Sequence, residues 1–537
     1  MNAREASYKL QVARTLLGTG MLQPVRADKA VRSLAALRRW GPTPAGAYIG
    51  AAIRYPERTA LVDERGTLSF SQLNRRTNAL AHQLRQIGVR EQDGVAIMCR
   101  NHRGFVEATV ACSKLGASGL YLNTAFAGPQ IADVLEREDP VALIYDEEFT
   151  ELVAAGGADR ARIIAWSQPG ASATEPRLEE LIAAGDEAEL KAPAEPGRTV
   201  ILTSGTTGTP KGAARKQPDS IEPAAALLSK IPLKARETTM IAAPLFHSWG
   251  FAHLTLGLAL ESTLVLRRKF DPEDTLRAVA HHGASALALV PVMLQRILEL
   301  PSSAIERYDT SSLRVIALSG SVLPGDLATR AMDTFGEILY NLYGSTEVAW
   351  ATIATPQDLR AAPGTAGKPP LGTVVKLLDD AGREVSPGDA GRIFVANEMV
   401  FEGYTGGGGK EIVSGLMSTG DVGHFDHAGR LFVDGRDDEM IVSGGENVFP
   451  REVEDLLADH DAIEEVAVVG VPDEQFGQRL KAFVVTRNGA RLSEQAVKDH
   501  VKANLARYKV PRDVVFLDEL PRNATGKVLK RELTGSS

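Results

Sequence analysis

The chain has 537 residues, of which 44% are apolar and 24% charged, and a formal net charge of −8 at pH 7. This length exceeds one ordinary hydrophobic core and predicts at least two domains in a soluble globular protein. The acidic balance argues against a general nucleic-acid binder. Two cysteines, Cys99 and Cys112, are too few for a disulfide framework and lack metal-ligand spacing. A cytoplasmic setting is therefore expected.

The first forty residues differ in charge from the rest and are predicted to form an extension over residues 1–45. They hold eight basic residues against Glu5 and Asp28, a local charge of +6, with leucines and valines at helical spacing. Two alternatives stay open. The segment packs as helices on the main body, or it contacts an anionic membrane surface at the inner membrane face, which co-sedimentation with anionic vesicles at low salt tests.

Strand-like and helix-like segments alternate between about residues 50 and 200. Helices are predicted over 70–87 and 105–115, and strands over 94–98 and 141–145. This alternation is typical of a doubly wound parallel sheet. Residues 157–197, rich in Ala, Gly, Pro and Glu, are predicted to be a surface connection.

The most informative stretch, Thr203 to Gly212, has the sequence TSGTTGTPKG and follows an apolar run. Its small and hydroxylated residues let the backbone approach phosphate oxygens, and Lys211 adds positive charge. A Walker-type loop does not fit, because Pro210 replaces its second glycine and Gly212 its Ser/Thr when counted from Gly205. A flexible linker would not need the preceding strand or the Pro-Lys-Gly ending. A polyphosphate site is predicted.

The alternating pattern continues after this loop and then changes. A helix is predicted over 274–282, and strands are predicted over 286–290, 313–318 and 338–342. From about residue 365 short strands and turns dominate, with strands over 391–396 and 430–434 and a hairpin turn at 428–429. The last hundred residues predict a small α+β domain, with helices over 451–458 and 494–504 and strands over 466–469 and 482–485.

The TSGTTGTPKG stretch resembles the phosphate loop of the adenylate-forming superfamily, which comprises acyl-CoA synthetases, peptide-synthetase adenylation domains and luciferases. Five further motifs follow in the family's order: YGSTE at 343–347, STGD at 418–421, GRDD at 435–438, SGGEN at 443–447 and PRNATGK at 521–527. The resemblance implies an α/β fold. A large domain (46–436) of doubly wound sheets with a small β-barrel-like part precedes a small mobile α+β domain (437–537).

This resemblance, greatest to bacterial fatty-acid–CoA ligases, implies two reaction steps that use ATP, Mg²⁺ and CoA. A carboxylate attacks the α-phosphorus of ATP to give an acyl-adenylate and pyrophosphate, and a thiol then displaces AMP. The implied nucleotide-binding residues are Thr203, Ser204, Gly205, Thr206, Thr207, Gly208, Lys211, Gly320, Ser321, Tyr343, Gly344, Thr346, Asp421 and Arg436.

The resemblance also implies individual roles. Tyr343 stacks on adenine, Thr346 donates to the α-phosphate, and Asp421 accepts the ribose hydroxyls. Glu347 holds the magnesium ion, as a hard carboxylate ligand should. Glu347 could instead be an ordinary exposed acid at a strand end, and Asp421 could instead be a turn residue after Gly420. Arg436 reaches the ribose or the phosphates.

Lys527 is implied to catalyse adenylation, because its amine reaches the carboxylate and α-phosphate oxygens. Asp438 is the implied hinge of the small domain, whose rotation brings Gly444, Gly445 and Glu446 to the thiol channel. A short, non-branched residue tolerates the backbone change of a hinge.

His247 is implied to border the carboxylate and the thiol tunnel, and a core histidine is its alternative. Trp249 and Phe251 line the acyl pocket or belong to the core. The apolar segment 286–293 beside the site favours a medium- or long-chain fatty acid, because each buried methylene contributes about 0.8 kcal/mol. One stretch departs from the family's pattern: the glycine run 406–409 predicts a mobile loop, and Leu416 replaces a tryptophan.

Three alternatives for function stay open beside a fatty-acid–CoA ligase. They are a fatty acyl-AMP ligase that loads a carrier protein, a luciferase-like enzyme, and a non-catalytic acyl- or nucleotide-binding protein. The expected partners are the acid, ATP and CoA, with no nucleic acid, and a homodimer is a further expectation.

Overall fold

A computed structural model describes residues 3–154, 160–168, 174–203, 210–437, 441–443, 446–473, 477–487, 490–505, 509–523 and 526–534. Cys99 and Cys112 are both buried and free. Within these ranges no helix has the length and apolar character needed to cross a membrane.

The strands, numbered in chain order, supply four sheets. They are β1 (Thr59–Asp63), β2 (Gly66–Ser69), β3 (Gly94–Met98), β4 (Ser118–Tyr121), β5 (Ala142–Asp146), β6 (Ala161–Trp166), β7 (Thr199–Thr203), β8 (Lys211–Arg215), β9 (Thr238–Ile241), β10 (Thr263–Leu266), β11 (Ala286–Leu289), β12 (Val315–Leu318), β13 (Leu339–Tyr343), β14 (Thr352–Ala354), β15 (Val374–Leu378), β16 (Gly391–Ala396), β17 (Gly403–Tyr404), β18 (Ile412–Val413), β19 (Leu416–Phe425), β20 (Leu431–Arg436), β21 (Ile441–Ser443), β22 (Glu446–Val448), β23 (Ile463–Asp473), β24 (Gly477–Thr486) and β25 (Asp513–Phe516).

The α-helices begin at local signals such as the capping box of α4, where Ser69 Oγ accepts from the Gln72 amide and Gln72 Oε1 accepts from the Ser69 amide. They are α1 (Ala3–Gly18), α2 (Ala27–Trp40), α3 (Pro44–Arg54), α4 (Phe70–Gln86), α5 (Arg103–Leu115), α6 (Gly128–Glu138), α7 (Thr150–Ala154), α8 (Leu178–Ala184), α9 (Glu222–Leu228), α10 (Ser248–Ala259), α11 (Pro272–His282), α12 (Pro291–Leu298), α13 (Ser302–Ile305), α14 (Gly325–Phe335), α15 (Pro356–Ala361), α16 (Pro450–Ala458), α17 (Glu494–Asn504) and α18 (Lys530–Thr534).

Two large, mainly parallel sheets form the centre of the molecule. The first sheet has eight strands in the order β14-β13-β12-β11-β9-β10-β1-β2, and the second has seven in the order β17-β8-β7-β4-β3-β5-β6. The antiparallel strands lie at the ends of these sheets. Parallel strands need crossover helices that cover both faces, so most of their residues are apolar. The predicted α/β class is confirmed.

Helix α5 lies in the core that the two sheets share, and all of its residues except Ser113 are buried. The same core contains Leu61 and Leu264 of the first sheet and Ile97 and Ile144 of the second. Because protein cores are close-packed, this shared layer holds the two sheets in a fixed relation.

The third sheet is antiparallel, with the order β15-β16-β19-β18 and β20 paired to β19. It corresponds to the predicted β-barrel-like part. The predicted hairpin turn between β19 and β20 closes where the Gly429 amide donates to the Asp426 carbonyl at 2.9 Å. Gly429 has φ +73°, which glycine adopts without strain. The pairing places Asp421 opposite Arg436.

The fourth sheet has the order β22-β21-β24-β23, with β25 parallel to β24. Helices α16 and α17 pack on it through Val453, Leu457, Val497 and Val501. This arrangement is the smaller α+β part that the sequence predicts. The domain boundaries near residues 45 and 436 remain predictions.

The N-terminal helices pack on the body of the protein. In α1, Val12 and Leu16 are buried against Leu227 and Leu228 of α9. Lys234 Nζ donates to the Gly18 carbonyl at 2.6 Å. The structure therefore has the first of the two arrangements considered for this segment. Contact with an anionic membrane surface remains a prediction.

One segment differs from the sequence-based expectation. Residues 157–197 contain β6, which pairs with β5, and α8, whose Leu178 and Ile182 are buried. The expectation of a surface connection was wrong because a short edge strand and a two-turn helix need few apolar residues.

The 406–409 glycine run forms a turn in which the Tyr404 amide donates to the Gly408 carbonyl at 3.1 Å. The mobility expected of this loop remains a prediction.

His253 is a buried histidine inside α10. It is 1% exposed, and neither ring nitrogen has a hydrogen-bond partner among the described residues. Its ring meets Trp249 edge-on, with the ring centres 4.4 Å apart. Burial lowers the pKa of His253 from 6.5 to about 4, so the imidazole is neutral at pH 7.

Replacing His253 should flatten the acid side of the stability profile. Between pH 6.5 and about 4 the unfolded chain binds a proton that the folded imidazole does not, so stability falls as the pH falls. In His253→Leu up to about 3 kcal/mol of this loss should disappear, measured by urea unfolding at pH 7 and pH 4.5. His427→Leu, at an exposed position, is the control. Equal pH dependence in all three proteins would contradict the expectation.

Candidate active site

A cavity of about 1110 Å³ lies beside the carboxyl ends of several strands of the first sheet. Residues at or just after the ends of four strands line it: Ala243 after β9, Val290 after β11, Gly320 after β12 and Tyr343 at the end of β13. In open α/β sheets ligands bind outside this edge. The cavity also meets Asp421 of the third sheet and Lys527 near the C-terminus, so it brings together residues from distant parts of the sequence.

Tyr343, Asp421 and Arg436 form one polar group in this cavity. The Tyr343 hydroxyl donates to Asp421 Oδ2 at 2.5 Å, and Arg436 Nη1 lies 3.6 Å from Asp421 Oδ1. Burial raises the pKa of Asp421, while the Tyr343 hydrogen bond and the charges of Arg436 and Lys527 oppose the rise. Burial and Asp421 hold the pKa of Tyr343 well above its usual range, so its hydroxyl remains a donor.

Glu347 is a buried carboxylate at the cavity wall, 9% exposed. Its Oε1 accepts from the Tyr404 hydroxyl at 2.8 Å. Arg215, in β8, also lines the cavity, and burial lowers its pKa to about 10 while Glu347 opposes the change. A hard carboxylate oxygen on a cavity wall is a suitable ligand for Mg²⁺. The position of Glu347 fits a magnesium ligand, and this role remains a prediction.

The residues around Glu347 are held closely. Ser248 Oγ donates to Thr346 Oγ1 at 3.2 Å, and the Arg215 guanidinium donates to the Thr346 carbonyl. A Cβ atom added at Gly344 would lie 2.3 Å from the Ala349 carbonyl oxygen. A side chain at Gly344 would therefore displace backbone, which explains why a glycine follows Tyr343.

The predicted phosphate loop joins two neighbouring strands. Thr203 at the end of β7 pairs with Lys211 at the start of β8, and Lys211 Nζ lies 5.3 Å from the centre of the Tyr404 ring. Several predicted residues lie outside the described ranges: Ser204, Gly205, Thr206, Thr207 and Gly208 of the loop, the hinge residue Asp438, and Gly444 and Gly445. Glu446 lies in β22, whose backbone is described.

His247 directly precedes α10 and lines the cavity. Its Nε2 is buried and has no hydrogen-bond partner among the described residues. Burial lowers the pKa of His247 to about 4, so a neutral imidazole faces the cavity at pH 7. A neutral ring offers one N–H donor and one acceptor, which suits contact with a carboxylate or a thiol.

Trp249 and Phe251 line the cavity and also belong to the core, and their role in an acyl pocket remains a prediction. The Trp249 indole N–H donates to the Leu289 carbonyl at 3.0 Å. Trp350 is a third aromatic on the cavity wall, and its N–H donates to Thr373 Oγ1 at 2.9 Å. The two indoles are thus fixed in orientation.

Lys527 reaches the cavity from the C-terminal part of the chain. Its backbone amide donates to Asn523 Oδ1 at 2.9 Å. A Cβ atom added at the preceding Gly526 would lie 2.3 Å from Val292 Cγ1, so this turn packs against α12. The predicted nucleotide residues Gly320 and Ser321 line the same cavity.

Sequence reasoning missed three residues of this site: Asn341, Arg215 and Tyr404. Asn341 is 6% exposed and lines the cavity, and its Oδ1 has no partner among the described residues. This oxygen can accept a hydrogen bond from an exocyclic amine such as that of adenine. A polar residue inside a mainly apolar strand was the available signal for Asn341.

Comparisons with known proteins agree with this geometry. A family model described as "AMP-binding enzyme" matches residues 50–405, and "AMP-binding enzyme C-terminal domain" matches 452–527. Indoleacetate–CoA ligase of Aromatoleum aromaticum is 34% identical over 509 residues, covering 93% of this chain and 97% of the relative. Feruloyl-CoA synthase of an Amycolatopsis species is 34% identical over 483 residues, covering 89% and 96%.

A solved structure also matches most of the chain. Bacillus subtilis o-succinylbenzoate CoA synthetase in complex with its acyl-adenylate intermediate superposes with a TM-score of 0.80 at 29% identity. The match covers 91% of this chain and 98% of that chain. ATP and CoA are the substrates of such ligases, and Mg²⁺ is standard for the family.

Asp421→Asn should weaken AMP binding about 10- to 100-fold, because a neutral amide replaces a charged acceptor. Isothermal titration with AMP measures the change, and Asp389→Asn, at an exposed turn, is the control. Because the pKa of Asp421 is raised, wild-type affinity should fall as the pH is lowered towards that pKa, and the variant should lack this fall. Unchanged AMP affinity in Asp421→Asn would remove Asp421 from the nucleotide site.

Proposed function

Because the chain belongs to the AMP-binding enzyme family, we propose that it ligates a largely apolar, ring-bearing carboxylic acid to CoA. The reaction passes through an acyl-adenylate and releases AMP and pyrophosphate. The observation that carries this proposal is a single cavity that contacts Tyr343, Asp421, Glu347, His247 and Lys527. Such a cavity supports binding of a nucleotide next to an acid.

The first step joins two anions, and cationic groups around the cavity reduce their repulsion. An acid oxygen bonds to the α-phosphorus while the bond from that phosphorus to pyrophosphate breaks. Lys527 supplies a mobile cation near these atoms, and Mg²⁺ at Glu347 would neutralise phosphate charge. Asp421 holds the ribose and so fixes the position of the α-phosphate.

The second step forms the thioester. The CoA sulfur, having lost its proton to solvent, bonds to the acyl carbon, and the bond from that carbon to the AMP oxygen breaks. His247 is neutral at pH 7, so it contacts the acyl group by hydrogen bonding and adds no charge to the site.

The fixed aromatic walls favour a ring over a flexible chain. Trp249 and Trp350 are held by their own hydrogen bonds, and flat, rigid surfaces stack on aromatic rings. The relatives reported above are named for indoleacetate, ferulate and succinylbenzoate. We therefore propose a ring-bearing acid in place of the fatty acid expected from the sequence. A fatty acid is the second candidate because much of the cavity is apolar.

A panel of acids tests this function. Indole-3-acetate, ferulate, benzoate, decanoate and palmitate are each supplied with ATP, Mg²⁺ and CoA, and AMP and thioester are quantified. At least one ring-bearing acid should exceed both fatty acids in kcat/KM by about tenfold or more, about 1.4 kcal/mol. Higher values for the fatty acids would reverse the assignment of the acid. AMP release without thioester would favour carrier-protein loading, and no AMP with any acid would exclude the ligase.

Lys527→Ala should lower acid-dependent ATP–pyrophosphate exchange by about 100-fold or more, because it removes the cation beside the α-phosphate. Thioester formation from supplied acyl-adenylate should change little, since that step needs no such cation. Lys502→Ala, an exposed residue of α17, is the matched control. Near-normal exchange in Lys527→Ala would refute this role.

A further inference from the structure

The cavity extends well beyond the catalytic groups. From His247 and Trp249 it follows α10 past Thr255 to the N-terminal segment, where Leu34 and Leu37 of α2 line it. The match to the family model begins only at residue 50. The α2 side of this far end therefore lies outside the family match, while the facing residues of α10 lie inside it.

Small residues leave space at this end. The groove between α3 and α10 is lined by Ala47, Gly50, Ala51, Ala252 and Ala259. A Cβ atom added at Gly50 meets nothing within 4 Å, whereas one added at Gly46 would lie 2.2 Å from the Gly41 carbonyl oxygen. Within the same helix, Gly46 permits close packing against the end of α2, while Gly50 faces open space.

The N-terminal segment is fixed in place, as a pocket wall must be. Arg54 donates to the Met21 carbonyl at 3.1 Å, and Arg236 donates to the Gly20 carbonyl. Both arginines pair with buried Glu261, at 2.7 Å and 3.1 Å. Both arginines are needed to balance the buried negative charge of Glu261. Because the same two arginines bind carbonyls of the turn between α1 and α2, they hold this turn in one position.

Apolar side chains remain half exposed on this wall. Leu34 and Leu37 are each 51% exposed although both line the cavity. Covering apolar surface releases free energy in proportion to the area removed from water. An apolar group that enters the groove would cover them.

We propose that the N-terminal segment, residues 21–47, forms the far wall of the acid pocket and sets how long an acid the enzyme accepts. This inference rests on the proposed ligase function. The part of the acid farthest from its carboxylate lies in the groove above Gly50 and against Leu34 and Leu37. A short acid reaches neither.

A series of ω-phenylalkanoic acids tests the proposal, with phenylacetate as the short member and 8-phenyloctanoate as the long member. Leu34→Trp and Gly50→Leu should fill the groove. Each should lower kcat/KM for 8-phenyloctanoate at least tenfold relative to phenylacetate, while the KM for ATP stays the same. A purely structural effect would lower kcat/KM equally for both acids.

One control separates the outcomes. Val31→Trp adds the same side chain as Leu34→Trp to α2, at a position 69% exposed that does not line the cavity. It should keep the wild-type ratio. An unchanged ratio in both groove variants, or a wild type that uses phenylacetate and rejects 8-phenyloctanoate, would overturn the proposal. If the wild type were inactive with every acid, this result would instead contradict the proposed function.

Discussion

Two carboxylates, Glu347 buried and Asp421 mostly buried, join three sheets of this protein at one cavity. Asp421 of the third sheet accepts from Tyr343 of the first, and Glu347, between β13 and β14 of the first sheet, accepts from Tyr404 of the second. A buried carboxylate is costly unless hydrogen bonds and opposite charges compensate it. Arg436 and Arg215 supply those charges. The positions of the sheets and the polarity of the site therefore depend on the same contacts.

This arrangement explains why acidic residues can stand in a site proposed for a negatively charged triphosphate. Acids in such a site are unfavourable unless they bind the ribose or the metal. Here each acid already has an internal donor, so its negative charge is spread and partly neutralised before a nucleotide binds. Because the donors come from separate sheets, the acids are held rigidly, and preorganised groups need no rearrangement when charge develops.

The resemblance to the adenylate-forming superfamily singled out Tyr343, Glu347, Asp421 and Lys527, and all four line one cavity. Their partners could not be found in the same way. Arg215 lies 132 positions before Glu347 in the sequence numbering, and its charge acts on Glu347 only after β8 has been placed beside the first sheet. The strand and helix between residues 160 and 184 were missed for a related reason. Their apolar residues are few, and their burial depends on β5 and α4 and not on local periodicity.

The nucleotide end and the far end of the cavity differ in what they require of their residues. The sequence therefore reveals the nucleotide end more readily than the far end. Phosphate, ribose and metal need donors and acceptors at fixed positions, and such chemistry restricts residue type strongly. The far end needs only apolar surface and space, which many residue combinations provide. A half-exposed leucine on an amphipathic helix is therefore unremarkable in the sequence. Its meaning arises when α2 lies against α3, which in turn packs on α10, with Gly50 opening toward the groove. Selectivity for the acid can thus change in a segment where the adenylation chemistry imposes no requirement.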